Sequence, residues 1–322
     1  MTRRVFGLTL ALTCVALQCG AALAQPYPNK PVRIVVPYAP GGTSDFVARL
    51  IGQRLGDRMG ATFIVENKPG AGGRIGFDAA AKSPADGYTL ASTDSSYAML
   101  PALYQKLTWD PADLQPVSLL VQVPLVLVAA DKTGFKQLSD VVAYAKANPG
   151  KLNFGSGGIG SATHLAGELL KYSAGIDIVH VPFKGAGDAM SGVLAGTVEL
   201  LVTAAPTAAP HVKTGRVRGL AVTTAKRAAA LPEIPTSAEA GLPTFAIAGW
   251  VGLTTPRGTP PDIVKRLHSE AVAALAVPEV AERLGAQGAE PVGSTPEEFA
   301  QVIASETKRW TEIVKAANVR LE

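Results

Sequence analysis

Short apolar runs with strand character alternate with segments of helical period through most of the 322 residues, and few folds accept that rhythm. Val32-Arg33-Ile34-Val35-Val36 reads as a strand, and behind it Phe46, Val47, Leu50, Ile51, Leu55 and Met59 fall on one helical face. Thr62 to Glu66 and Tyr88 to Ser92 read as further strands on either side of a helix at Arg74 to Lys82. Beyond the apolar run Val117 to Ala130, the pattern predicts helices at 138–147, 161–173, 186–195 and 206–214. Strands at 152–155, 178–182, 198–203 and 217–223 alternate with them. Such alternation implies an α/β chain with parallel sheets covered by helices. After the proline-punctuated stretch 231–243 come a strand-like run, Ala246 to Thr254, and helices at 260–276, 278–285 and 296–316. Helices without partner strands must pack on a sheet laid down earlier. The economical topology has the chain leave one domain near Val121 to Leu127, build a second, and return through 224–252, so that two crossings make a hinge.

The first residues belong to neither domain. Arg3 and Arg4 precede an apolar run from Val5 to Leu17, and Ala22-Leu23-Ala24 closes it with the small-x-small pattern of a signal peptidase site, so residues 1–24 read as an export signal cleaved after Ala24. The run is shorter than the roughly 20 residues a spanning helix needs. Gln18 before Cys19 is too large for a lipoprotein signal, whereas Thr2-Arg3-Arg4-Val5-Phe6 resembles a twin-arginine signal and leaves that export route open. Loss of Arg3 and Arg4 takes the 30 Lys+Arg to 28 against 26 Asp+Glu, a net charge of only +2. Both cysteines lie in the leader, so the exported chain has no disulfide or thiolate chemistry. Scattered basic residues without interleaved aromatics give no nucleic-acid footprint.

Open α/β sheets bind ligands at the carboxyl ends of their strands, where loops meet helix N-termini. There the chain places PYAPGGTSDFVAR, 37–49, in which Gly41-Gly42 admits a ligand to the backbone and Thr43 and Ser44 can cap a helix. GSGGIGSATHLAGE, 155–168, repeats the design, VPFKGAG, 181–187, adds Lys184 as a candidate point charge, and STDSSYA, 92–98, is a polar cluster directly after a strand. Free N–H groups and the positive helix end attract carboxylate or phosphate. Each such loop can equally be an ordinary capped turn.

Catalytic signatures fail one by one. Gly155 to Gly160 spells G-x-G-x-x-G, but Asp177 precedes the following strand instead of ending it, as a ribose ligand would. The four histidines show no H-E-x-x-H, His164 and Glu168 make at most half a metal site, and no G-x-S-x-G elbow activates Ser156 or Ser161. No cofactor or metal is implied.

VPYAPGGTSDFVAR, VENKPGAGGRIG at 65–76, SPADGYTL at 83–90, GSGGIGSATHLAGE and VHVPFKGAGDA at 179–189 resemble, in order and over the whole chain after the leader, the Bug family of periplasmic substrate-binding proteins of tripartite tricarboxylate transporters. The resemblance implies a type II periplasmic-binding-protein fold, two α/β lobes joined by two hinge strands with the ligand cleft between them. It divides the chain into lobe 1, 25–123 and 227–322, and lobe 2, 124–226. It implies a monomer that captures a small organic carboxylate, dicarboxylate or aromatic acid, and delivers it to membrane permease subunits without catalysis. A sensor subunit presenting to a membrane kinase, or an exported enzyme, are the alternatives. By motif the site comprises Tyr38, Gly41, Gly42, Ser44, Asp45, Thr93 and Ser95 from lobe 1, with Ser156, Gly158, Ser161, Thr163, Phe183, Lys184 and Thr203 from lobe 2. Among the lobe 2 residues, Ser161 is expected to contact the ligand directly. Where the family commonly carries Asp-Asn, this chain has Thr203-Ala204, which favours a plain carboxylate over an amino acid; Asp45 and Asp94 remain as possible ammonium partners.

Overall fold

A computed structural model describes residues 27–104 and 106–316, so the expected leader lies outside the described residues. In chain order the first elements are β1 (Val32–Val36), α1 (Thr43–Met59), β2 (Phe63–Asn67), α2 (Arg74–Ala81), β3 (Thr89–Asp94) and α3 (Ser95–Leu103). A 17-residue strand, β4 (Leu114–Ala130), leads into α4 (Leu138–Ala147), β5 (Asn153–Ser156), α5 (Ala162–Ala174), β6 (Val179–Pro182), α6 (Ala186–Leu194), β7 (Leu200–Ala204), α7 (Ala205–Lys213) and β8 (Val217–Val222). The chain ends with β9 (Ala248–Pro256), α8 (Pro261–Leu275), α9 (Pro278–Ala286), β10 (Glu290–Pro291) and α10 (Pro296–Ala316).

The strands form two sheets that share β4. β2, β1 and β3 run parallel and meet β9 antiparallel, while β6, β5 and β7 run parallel and meet β4 antiparallel. At about 3.3 Å per residue β4 extends roughly 55 Å, enough to serve both. Its first half pairs with β9 and its second with β7 and β8, all antiparallel. The sheets are therefore mixed, where alternation alone predicted parallel ones: the strands that cross between lobes run against their neighbours. The crossings lie side by side, Val123 opposite Gly249 and Pro124 opposite Ala248. A Cβ on Gly249 would stand 3.0 Å from the Val123 carbonyl oxygen, so glycine lets the two hinge strands approach.

Each sheet is covered on both faces. Val47, Leu50, Ile51 and Leu55 of α1 bury against Val32, Ile34 and Val36, and Leu267, Ala271 and Leu275 of α8 join the same cluster. The C-terminal helices thus pack on a sheet built early in the chain, as their lack of partner strands requires. On the opposite face Phe77, Tyr97, Trp109, Trp250 and Phe299 form an aromatic cluster. The second lobe has its own pair of clusters, one around Phe154, Leu165 and Val202, the other around Val128, Ala189 and Leu201. Ala228 to Ile234, Phe245 and Ile247 pack with these second-lobe residues. Helix α10 packs on α3 and β4; its Phe299 joins the aromatic cluster, and Trp310 and Val314 join the cluster that holds Met99 and Leu103 of α3 as well as Phe154 and Leu165.

Most elements fall within two residues of their expected bounds. Helix α3 does not, since 92–98 reads only as a polar cluster. Ser95 to Leu100 are buried on every side and Pro101 interrupts the segment, so no polar face gives it a helical period.

Candidate ligand cleft

Between the lobes lies a cavity of about 300 Å³. Val123 and Leu125 of β4 and Gly249, Trp250 and Val251 of β9 floor it. The β1–α1 and β3–α3 loops wall it on one side, and the β5–α5 and β6–α6 loops with Ala204 wall it on the other. No lysine, arginine or histidine is among the described residues that line it.

What positive charge the lining offers comes from helix ends instead. Gly41, at φ 93°, turns the chain so that α1 begins at the cavity; Gly42 is the N-cap and carries no side chain to take up the first N–H groups. Gly185 leaves the start of α6 uncapped in the same way. The N-terminus of α5 is partly satisfied, because Ser161 Oγ accepts the His164 N–H at 3.3 Å and Ser96 Oγ accepts the Ala162 N–H at 3.0 Å. Three helices of 17, 13 and 9 residues thus end on one small cavity, each end equivalent to roughly half a positive charge.

The acidic residues in the wall are not equivalent. Burial pushes the Asp45 carboxyl up, but the Arg49 guanidinium, the Gly41 N–H and the Asn67 amide, all within 3.0 Å, together hold it below its ordinary value. It is held in the first turn of α1 by these bonds and is not a free partner for an ammonium group. Asp94 accepts from the Tyr38 hydroxyl at 3.1 Å, the Ser96 N–H at 3.0 Å and the Ser44 hydroxyl at 3.3 Å. Burial outweighs these bonds and raises its pKa to about 6. Because the folded value lies above the unfolded one near 3.9, the stability Asp94 contributes is complete below about pH 4 and is lost as pH rises through about 6. The loss is expected to reach about 3 kcal/mol. His164 and His180, stacked with ring centroids 3.9 Å apart beneath the β5–α5 loop, act the other way. Burial first, then neighbouring positive charge, lowers them to about 3 and about 4, so stability they supply above pH 6.5 is lost on acidification. Melting curves of wild type and Asp94→Asn between pH 4 and 8 separate the two, since both proteins keep the histidines. Their stability difference should change between pH 4 and 7, and a constant difference would mean that Asp94 does not titrate there.

Of the residues singled out from sequence, Tyr38, Gly41, Gly42, Ser44, Asp45, Ser95, Ser161 and Thr163 line the cavity. Thr93, Ser156, Gly158, Phe183, Lys184 and Thr203 are not in its lining, for identifiable reasons. Thr93 is fully buried and its hydroxyl donates to the Gly252 carbonyl, tying β3 to β9. Ser156 Oγ lies 2.6 Å from His180 Nε2 and donates to the Gly158 carbonyl, inside the loop rather than facing the cleft. Gly158 shapes that loop at φ 120°. The Phe183 ring covers Gly192 and Gly155, Lys184 is exposed, and Thr203 is buried in β7, its Oγ1 without a hydrogen-bond partner among the described residues. Sequence reasoning passed over Asp188, Ser96 and the apolar floor, and saw Asp94 only as an ammonium partner. Period-two alternation in β4, which places Val123 and Leu125 on one face, could have found the floor.

Ser161 was expected to touch the ligand, yet its hydroxyl is engaged locally, donating to the Gly158 carbonyl at 2.7 Å and accepting the His164 N–H. Ser161→Ala is therefore expected to lower apo stability by about 1 kcal/mol, as a lost cap does. Ligand affinity should fall by less than a direct charged contact, about 1.5 to 3 kcal/mol, would cost. Denaturant melts and calorimetry of the same variant distinguish the outcomes.

Two lobes, paired hinge strands and a cleft on which helix N-termini converge define a type II solute-binding protein. The tripartite tricarboxylate transporter family receptor profile matches residues 47–319, and the chain belongs to that family. Its structure is similar to that of Rpa4515 of R. palustris with adipate, at 36% identity and a TM-score of 0.88, covering 92% of this chain and 100% of that one. The periplasmic binding protein BugD is 33% identical with a TM-score of 0.86 over 91% and 100% of the two chains. MatC from Rhodopseudomonas palustris with bound malate is 33% identical with a TM-score of 0.85 over 89% and 100%.

Proposed function

We propose that the protein captures a short-chain dicarboxylate in the periplasm and delivers it, unaltered, to the membrane permease subunits of a tripartite tricarboxylate transporter. The observation that carries this is the placing of uncapped helix N-termini on both sides of one cleft, α1 on the first lobe and α6 on the second. A dicarboxylate presents one anion to each, and its methylene segment lies over Val123, Leu125 and Val251. Adipate in Rpa4515 and malate in MatC belong to the same chemical class. Ala204 puts a methyl group in the wall and Asp45 is engaged by Arg49, so neither of these positions serves an amino acid's ammonium. The protein acts as a monomer, with crossings between its lobes at 123–125 and 247–249. Residues 1–24 act as its export signal, and intact-mass analysis of periplasmic material should show Gln25 as the first residue.

Micromolar affinity, about −8.2 kcal/mol, suits capture with reversible release. In a thermal-shift panel of mono- and dicarboxylates, aromatic acids and amino acids, a matching dicarboxylate at a hundredfold excess over Kd should stabilise the protein by about 2.7 kcal/mol. If no carboxylate raised the melting temperature, the proposal would fail.

A further inference from the structure

A hydrogen bond crosses the cleft from the Ala162 N–H, in the first turn of α5, to Ser96 Oγ at 3.0 Å. Ser96 is itself fixed by the first lobe. Its N–H donates to Asp94 Oδ1 at 3.0 Å and its Oγ lies 2.9 Å from the Tyr38 hydroxyl oxygen, whose own proton goes to Asp94. A second contact joins the lobes nearby. A Cβ on Gly72 would lie 2.6 Å from the Ile159 carbonyl oxygen and 3.1 Å from the Gly160 carbonyl carbon, so the 70–73 loop and the β5–α5 loop meet backbone to backbone. That first loop is an unusual projection, with Gly70, Ala71, Gly72 and Gly73 all at positive φ (135°, 47°, 64° and 102°). Both contacts join groups on opposite sides of the paired hinge strands, so both separate as the lobes part.

We infer that Ser96 is a positioning residue that latches the lobes shut through the Ala162 N–H and so sets how long a ligand stays, while Gly72 fixes how closely the lobes approach. The Ala162 N–H is one of the donors a helix start leaves free, and Ser96 supplies the oxygen that satisfies it only in the closed arrangement. The latch acts on release rather than capture, because the open cleft that admits a ligand has already lost the bond.

The effect on ligand release rests on the dicarboxylate function proposed above, but the geometry of closure can be read without ligand. A chain beginning at Gln25 has no cysteine, so spin labels on Asp57→Cys and Lys151→Cys, both exposed, can report the distance between lobes by pulsed electron paramagnetic resonance. Ser96→Ala should shift the ligand-free distribution away from the wild-type closed distance. It should also speed adipate dissociation in stopped flow about three- to tenfold, the worth of one hydrogen bond, with association little changed. Gly72→Ala, outside the cavity lining, should shift the distances in adipate as well. Gly134→Ala, at a similar φ of 70° with no atom within 4 Å of a Cβ, should not. Wild-type distances and dissociation rates in Ser96→Ala would overturn the latch, and a Gly134→Ala shift matching that of Gly72→Ala would overturn the role of Gly72. Shifted ligand-free distances in a protein whose wild type ignores adipate and other dicarboxylates would uphold the latch and count against the dicarboxylate reading instead.

Discussion

Gly42→Asp is expected to weaken dicarboxylate binding at least about a hundredfold while leaving the ligand-free protein as stable as before, or slightly more so. Gly42 is the N-cap of α1 in ordinary extended backbone, φ −82° and ψ 173°, and no atom lies within 4 Å of the position a Cβ would take. Aspartate is among the best N-cap residues, a few tenths of a kcal/mol better than glycine. Its carboxylate would occupy the N–H groups that the ligand needs, forfeiting charge-assisted bonds of about 1.5 to 3 kcal/mol. Like charges about 5 Å apart at an effective dielectric near 20 add roughly 3 kcal/mol of repulsion. Gly185→Asp, at the equally open N-cap of α6, should act similarly from the other lobe. Calorimetry and melting curves separate this from unfolding. If both variants bound as tightly as wild type, the helix ends could not be the ligand's partners.

Trp310→Ala is expected to have the largest effect on stability. The indole is fully buried, its Nε1 donates to Glu306 Oε2 at 3.0 Å, and it belongs to the cluster that joins Met99 and Leu103 of α3 to Phe154 and Leu165. Removing such a side chain costs about 3 to 5 kcal/mol, which for a chain of this size lowers the melting temperature by roughly 5 to 8 °C. Because α10 packs on α3, the variant should also loosen the attachment of the C-terminal helix to α3. Glu312→Ala, exposed on the same helix, should change stability by no more than about 0.5 kcal/mol. Equal effects of the two substitutions would contradict the packing of α10.

Periodicity made most of this architecture legible, because amphipathic helices such as α1 and central strands such as β1 sort their residues by face. It failed at α3, where burial on all sides erases the polar face, and at the direction of β4 and β9, which pattern alone does not encode. Residues 228–234 lie in the stretch 224–252 through which the chain is expected to return to lobe 1, yet their alanines, leucine and isoleucine bury against the second lobe. Within the cleft, the glycine-rich loops were readable because an uncapped helix start and a positive φ both favour glycine. Motif position could not say which way a side chain points. Thr93 and Thr203 sit beside the cleft in sequence but face the protein interior, whereas Ser96, one step past the expected Ser95, bridges the lobes. The role of Asp94 depends on three donors that converge only in the folded chain.

That the two helix ends hold two carboxylates of one ligand is what the proposed function rests on. It is tested most directly by calorimetric titration of the dicarboxylate that stabilises the protein most, alongside its monomethyl ester. Capture between α1 and α6 predicts micromolar binding of the diacid and a loss of about 1.5 to 3 kcal/mol or more for the ester, which lacks one anion. Equal affinity for diacid and monoester would contradict it.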